Sequence, residues 1–478
     1  MKFPHLPTLL LLVLLPPSLM AQNTAQESGG DGNTNALRAK PERANSPRPM
    51  MMRPSWIDLQ GDWDYAISDK DAIANPPEKW LGKTQIPMNA GTSATSPAEQ
   101  LDATKRIWYR RQIETPELKP GQTLHLHCNS VTTEALVTVN GMLLNMHSGA
   151  DAPFNTDITQ ALTKTPTQEI AISAWSPDPQ AQATGITGEV WLEIVPRSHL
   201  STLKITTDPS SGKVTVYATI WGQANFRTLE VRALDGDKEV ASGSAFYHFE
   251  KGGYETTFTI PEPKFWSPDA PKLYGLRIRL ANEDQSTHDD VTSYFALREV
   301  GNTTDAAGHS RFALNDEQIF LIGLEDANRH SAMSDSEIRS RVESIKAKGY
   351  NLIRKPAGMD SPRIYHWADR LGVIIWQDLP SHKADEKASK NRCAELQDLS
   401  ARYFNHPSIA IWSEESFPDQ SYTAGKTTGD LRTEPEPLIS DSARAAVGIA
   451  GDYDPKSDQV EKLTERGISA AVFTGATD

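Results

Sequence analysis

Apolar and polar residues alternate with a period of two over much of the chain between residues 56 and 300, and the period becomes helical after residue 300. Alternation places every second side chain on one face, as a half-buried strand requires. In the first stretch it runs through Trp63 to Ile67, Ile107 to Ile113, Thr123 to Cys128, Ala135 to Val139, Glu169 to Ile172 and Glu189 to Ile194. Asn140-Gly141 directly follows the fourth of these, and that pair is the strongest short hairpin signal because both residues tolerate positive φ. The pattern predicts an antiparallel, jelly-roll-like β-sandwich over 51–197. A second run of alternation, at Leu203 to Thr207, Lys213 to Tyr217, Thr228 to Arg232 and Leu276 to Leu280, predicts an immunoglobulin-like β-sandwich over 198–300.

Beyond Gly301 short apolar strands alternate with helices. Ile319 to Ile322, Asn351 to Arg354, Val373 to Trp376 and Ser408 to Trp412 read as strands. Between them, 334–348 reads as a helix with Ile338, Val342 and Ile345 on one side, Ser334 as its N-cap and Glu337 as the capping-box partner. Residues 361–371 form a second helix opened by Pro362, and 392–404 a third. Such βα units build a parallel sheet, and in a (β/α)₈ TIM-type barrel the chemistry sits at the C-terminal strand ends. Those ends carry Glu325, Asp326, Asn328, Arg329 and His330, then Arg354 and Lys355, then Gln377 and Asp378, then Ser413, Glu414 and Glu415. Carboxylates and cations beside Trp376 and Trp412 suit a sugar, since carboxylates move protons and ring faces stack on a pyranose.

The N-terminus changes the expected compartment. Lys2, an unbroken apolar run at Leu9 to Leu15, Pro16-Pro17 and a small residue at Ala21 read as a signal peptide over 1–21, which predicts export to a periplasmic or extracellular space. Residues 22–50, rich in Asn, Gly, Ser, Pro and charge, read as a disordered linker. No other segment approaches 18 apolar residues, so no membrane span is expected. Composition removes further classes. The 478 residues carry 48 Lys+Arg against 62 Asp+Glu, a formal charge of −14 that disfavours nucleic acid as a partner. Two cysteines, Cys128 and Cys393, are too few for a disulfide scaffold or a cysteine zinc site. His125 and His127 share a strand face without a third ligand type, so packing accounts for them and no metal or other cofactor is expected.

These segments together resemble glycoside hydrolase family 2, the β-galactosidases, β-glucuronidases and β-mannosidases. Ile107 to Arg111, Val139-Asn140-Gly141 with His147, Pro153-Phe154, Asp157 to Thr159, and Gly185 to Glu193 resemble the family's N-terminal sugar-binding sandwich. Phe265 to Tyr274, reading FWSPDAPKLY, resembles its immunoglobulin-like domain. Asn351 to Lys355, Leu371 to Pro380 and Asn405 to Trp412 resemble barrel strands two, three and four, and Gly467 to Thr474 the last strand. The resemblance implies an exported β-glycosidase acting on carbohydrate, with Arg354 and Asp378 holding sugar hydroxyls beside Trp376 and Trp412. A non-catalytic carbohydrate-binding or scaffold protein derived from such an enzyme is the alternative.

The chain also departs from the family. After the strand-four Trp it reads Trp412, Ser413, Glu414, Glu415, Ser416, Phe417. Allowing a short deletion, Glu415 takes the acid/base place and Glu414 replaces the family's Asn; without a gap, Phe417 falls there. No glutamate in the strand-seven context follows, so the nucleophile is unassigned. The span 301–478 is also shorter than the ~250 residues of a typical full barrel, which predicts an incomplete one with strands five to seven missing or collapsed within 417–462.

Overall fold

The computed structural model describes residues 46–73, 75–88, 101–149, 152–177, 184–224, 227–356, 359–379, 402–414, 421–423, 446–449 and 452–474. The signal segment, the linker up to residue 45, most of the 392–404 helix and Glu415 lie outside the described residues.

The first alternating stretch forms two antiparallel sheets. One has six strands, in the order Gly82–Ile86, Gly61–Asp69, Lys105–Glu114, Thr167–Trp175, Glu134–Val139 and Met142–Ser148. The other has four, in the order Trp56–Asp58, Val190–Pro196, Gln122–Cys128 and Phe154–Asp157. A single apolar core draws Trp63, Tyr109, Val137 and Ile172 from the first and Leu124, Leu126, Phe154 and Leu192 from the second, which makes the pair a sandwich. Asn140 (φ 50°) and Gly141 (φ 77°) turn the predicted hairpin with both central residues left-handed.

The second stretch forms one seven-stranded antiparallel sheet. Its order is His199–Asp208, Lys213–Trp221, Gly253–Thr259, Lys238–His248, Thr228–Asp235, Tyr274–Ala281 and Thr287–Phe295. Strand Lys238–His248 pairs along most of its length with one half and by its last two residues with the other. Val214, Val216, Val231, Ile278 and Val291 from both halves share one core, so the sheet folds over on itself. The tail of the segment read as a linker departs from that reading: Ser46 and Met50 are buried, the Ser293 hydroxyl donates to Met50 O at 2.6 Å, and Met52 bridges Thr292.

The C-terminal strands are Leu321–Glu325 (β1), Leu352–Lys355 (β2), Ile374–Leu379 (β3), Ile409–Glu414 (β4), Ser421–Thr423 (β5), Ala446–Ile449 (β6) and Ala470–Phe473 (β7). Helices Asp335–Ala347 (α1), Pro362–Leu371 (α2) and Gln459–Glu465 (α3) connect or flank them. The sheet runs β5-β4-β3-β2-β1-β7-β6, parallel throughout except that β5 is antiparallel to β4. Ser334 caps α1 with both halves of the capping box formed, and Ser361 caps α2 ahead of Pro362.

Both faces of this sheet are covered, as parallel sheets require. Leu324, Ile353, Ile375 and Ile409 meet Ile338, Val342 and Ile345 of α1 and Ile364 of α2. On the other face Leu321, Leu352, Ile374 and Trp376 meet Val300, Phe312 and Leu314 of a three-stranded hairpin (Val300–Thr304, Ser310–Leu314, Glu317–Gln318), with Trp266 and Ala296 from the second sandwich. Trp266, within the FWSPDAPKLY segment, also donates its indole N–H to Asp369 O of α2 at 2.7 Å.

Candidate active site

Alternation along the parallel strands decides which polar residues can meet. Leu352 and Ile374 sit in the hairpin-side cluster, so Arg354 and then Trp376 and Asp378, at steps of two, follow on that face. Arg354 reaches Asp378 Oδ2 with Nε at 3.1 Å and Nη2 at 2.8 Å, and Glu325 Oε2 with Nη1 at 3.2 Å. The Asp378 side chain is fully buried, while those of Arg354 and Glu325 are about a third exposed. The other Asp378 oxygen accepts from the Ser413 hydroxyl, which in turn accepts from Trp376 Nε1 at 2.8 Å. The Arg354 guanidinium carbon lies 5.6 Å from the Trp376 ring centroid.

Of the residues expected at the site, Arg354, Asp378 and Trp376 come together. Trp376 is almost fully buried and forms the floor beneath the guanidinium, so its ring does not offer an open stacking face. Trp412 goes elsewhere: it packs against the helix-side cluster with Ile353 and Ile375, because the register shift between β3 and β4 sets Ser413 on the Asp378 face. Glu415 directly follows β4 and is not described; the backbone of Glu414 pairs with Leu379.

Other polar strand-end residues form a second, closed network. Lys355 Nζ lies 2.9 Å from Asp360 Oδ2, 3.8 Å from Asp326 Oδ2 and 2.6 Å from Asn328 O. His330 joins the same two acids, Nδ1 at 2.6 Å from Asp360 and Nε2 at 3.3 Å from Asp326. All four side chains are buried. Burial alone would raise the Asp360 pKa, but the Lys355 charge, with His330 and its hydrogen bonds, outweighs burial and holds it well below the usual carboxylate range. Asp360 was not singled out in sequence; its place beside Ser361, the cap of α2, is the local signal that points to it. Glu189 was missed too. It is a buried acid of the first sandwich that accepts from Asn129 at 2.9 Å, from Arg363 of α2 at 3.3 Å and from Ser361. It ties that sandwich to the strand-end loops.

Comparisons with known proteins agree with this architecture. A profile of glycosyl hydrolases family 2 matches residues 198–298. A Formosa agariphila protein provisionally named a β-glucuronidase is 27% identical over 394 residues, covering 77% of this chain and 46% of its own. A Thermoanaerobacter pseudethanolicus β-galactosidase is 25% identical over 345 residues, covering 66% of this chain and 45% of its own. The crystal structure of a glycosyl hydrolase family 2 member from Bacteroides cellulosilyticus superposes with a TM-score of 0.67 at 18% identity, over 88% of this chain and 67% of that one.

The profile match, the named relatives and the shared fold support glycoside hydrolase family 2 as the family this chain is similar to. A Bifidobacterium dentium β-glucuronidase, solved with coumarin-3-O-glucuronide, has the same fold at a TM-score of 0.67 and 18% identity, over 89% of this chain and 83% of that one. The chain spans about half the length of the first curated relatives it matches. In this chain the rim of charge at β1, β2 and β3 is built by residues of one sheet face, and the hairpin-side core holds that face in place.

Proposed function

We propose that this chain is an exported, carbohydrate-acting member of that family that takes a β-glycoside at the C-terminal ends of β1 to β4. The observation that carries the reading is the Arg354 guanidinium, fixed between Glu325 and Asp378 above Trp376 yet about a third exposed. A guanidinium has five N–H donors, and those not committed to the two acids are set to meet sugar oxygens. Glu415 is the next residue in sequence after β4, and in this reading it would protonate the leaving oxygen. The names of the glucuronidase and galactosidase relatives support a β-linked sugar as substrate. Export rests on the signal-like pattern of 1–21.

The sheet itself reads as a barrel remnant. β7 lies parallel beside β1, as the last strand of a closed barrel does, while β5 runs antiparallel to β4 where a (β/α)₈ barrel has a parallel fifth strand. This favours a second reading, glycan binding without turnover. The rim carboxylates among the described residues, Glu325 and Asp378, are both engaged by Arg354, so neither is a free nucleophile.

A panel of aryl β-glycosides, assayed with wild type and Glu415→Gln, separates the two. Hydrolysis reduced by roughly 10²–10⁴ in the variant supports the enzyme reading. Binding without hydrolysis supports the second. Hydrolysis unchanged in Glu415→Gln overturns the assignment of the acid, and neither binding nor hydrolysis overturns the proposal.

A further inference from the structure

A sheet ends in edge strands whose outer N–H and C=O groups lack a ladder partner, and proteins cover, shorten or charge such strands. Among the described strands, three edge strands exceed five residues: His199–Asp208, Thr287–Phe295 and Met142–Ser148. The first two are covered from elsewhere in the chain. Asn405 accepts from Ile205 N and donates to Leu203 O, both at 2.8 Å, and Met52 exchanges two main-chain bonds of 2.9 Å with Thr292. Met142–Ser148 pairs with Glu134–Val139 on one side, and among the described residues no main-chain bond reaches its other side.

Inward side chains hold this strand in place across the sandwich: Asn145 Nδ2 donates to Thr156 Oγ1 at 2.8 Å, and the His147 ring stacks on Phe154 at 4.4 Å. A bulge near Leu144 offsets its first residues, and Asn145 to Ser148 run in regular register. By alternation Leu143 and Met146 stand on the outer face, both exposed, Met146 to 59%. Met146 pairs there with Leu136, which is buried with Ala66, Trp108 and Ala171. Charge and proline, which usually protect an edge, are missing: the seven residues read MLLNMHS. Burial lowers the His147 pKa, so the ring is uncharged at neutral pH, and Glu134 opposite Ser148 is matched by Arg106. The far edge of the same sheet, Gly82–Ile86, is shorter, carries Lys83 and runs into Pro87. Neutrality selects the partner. Antiparallel pairing of a strand with its own copy is two-fold symmetric and sets like residues near like ones, which a charged strand resists.

We propose that strand Met142–Ser148 is a self-association surface, at which two copies of this chain pair antiparallel and edge to edge, joining their six-stranded sheets with the two Met146 side chains adjacent. The surface is independent of any reaction at the strand-end rim. An edge of seven residues buries less than the roughly 800 Å² per partner of a stable interface, so the dimer is weak and forms as the protein is concentrated.

Sedimentation equilibrium of the full chain over a range of concentrations tests the surface. Wild type is expected to shift from monomer toward dimer on concentration, with no larger species, because a two-fold contact closes on itself. Met146→Lys is expected to weaken the dimer at least tenfold with unchanged circular dichroism, while Lys83→Ala at the far edge leaves it intact. Met146→Cys is expected to form a covalent dimer under mild oxidation faster than wild type, whose own cysteines serve as the control. A wild type that stays monomeric, species beyond the dimer, an undiminished dimer in Met146→Lys, an equal loss in Lys83→Ala, or no faster cross-linking in Met146→Cys overturns the proposal.

Discussion

Arg354 grips a single oxygen of Asp378 twice, through Nε at 3.1 Å and Nη2 at 2.8 Å, and this leaves the other carboxylate oxygen to the Ser413 hydroxyl. The acid is fully buried and the arginine about a third exposed, so the pair is neither a surface bridge nor a sealed one. Removing the arginine strands a buried carboxylate with one hydroxyl partner. Arg354→Ala should therefore cost about 2 kcal/mol in urea unfolding, below the 3–5 kcal/mol of a fully buried pair because water already reaches the guanidinium. Arg354→Lys should recover less than half, since one ammonium cannot span Asp378 and Glu325 as the fork does. A lysine variant as stable as wild type would contradict the bidentate account.

Acid should loosen the seam between the two sandwiches. Arg53 joins Glu193 of the first at 3.2 Å and Asp289 of the second at 2.8 Å, with all three buried. His127 Nε2 lies 3.4 Å from Glu193, and His125 meets the His199 ring edge-on at 5.0 Å. Burial first, then nearby positive groups, pushes His125 and His199 down to about 4, against 6.5 when free. The unfolded chain then takes up protons that the folded one refuses. The stability these histidines contribute is complete above pH 6.5 and is lost as pH falls toward about 4, at ~1.4 kcal/mol per pH unit for each. Glu193 and Asp289 are depressed in spite of burial, by His127 and Arg53 for the first and Arg53 for the second, and extend the loss below pH 4. His199→Phe should flatten the slope of unfolding free energy between pH 6 and 4.5; an unchanged slope would remove the histidine from this account.

The docking of α2 against the second sandwich depends on one glycine. Gly372 ends α2 at φ +72°, and a Cβ there would lie 2.3 Å from Pro268 O. Gly372→Ala should cost about 3 kcal/mol, combining left-handed strain with a backbone clash. Gly308→Ala, at φ +88° with nothing within 4 Å, carries the strain alone and should cost about 1 kcal/mol. Equal losses in thermal or urea unfolding would show that the Pro268 contact adds nothing.

Local pattern made the fold readable wherever one face is buried. The sandwich strands, the Asn140-Gly141 turn and the caps at Ser334 and Ser361 follow from alternation and turn chemistry. The parallel strands were placed one or two residues early, because apolar runs mark only the covered part of each strand. The ladder continues into Asp378 and Ser413, which are polar and serve the rim, and through Gln377, whose buried side chain accepts from the Tyr365 hydroxyl of α2 instead. The fate of Lys355, Asp326 and His330 was not legible: as charges past a strand end they read as an open rim, and they are buried only because Asp360 and the cap of α2 close over them. Trp412 shows the same limit, since a register shift between β3 and β4 decides its face and no feature of its own sequence neighbourhood records that.

The central claim is that the strand-end rim around Arg354 and Asp378 binds a β-glycoside. Calorimetric titration of wild type and Arg354→Ala with non-hydrolysable thio-β-glycosides, a glucuronide and a galactoside among them, tests it without depending on turnover. The account predicts saturable one-site binding of at least one of these by wild type and a loss of tenfold or more in Arg354→Ala, about 1.4 kcal/mol or greater. Equal affinity in a folded Arg354→Ala variant, or no binding by wild type, would contradict it.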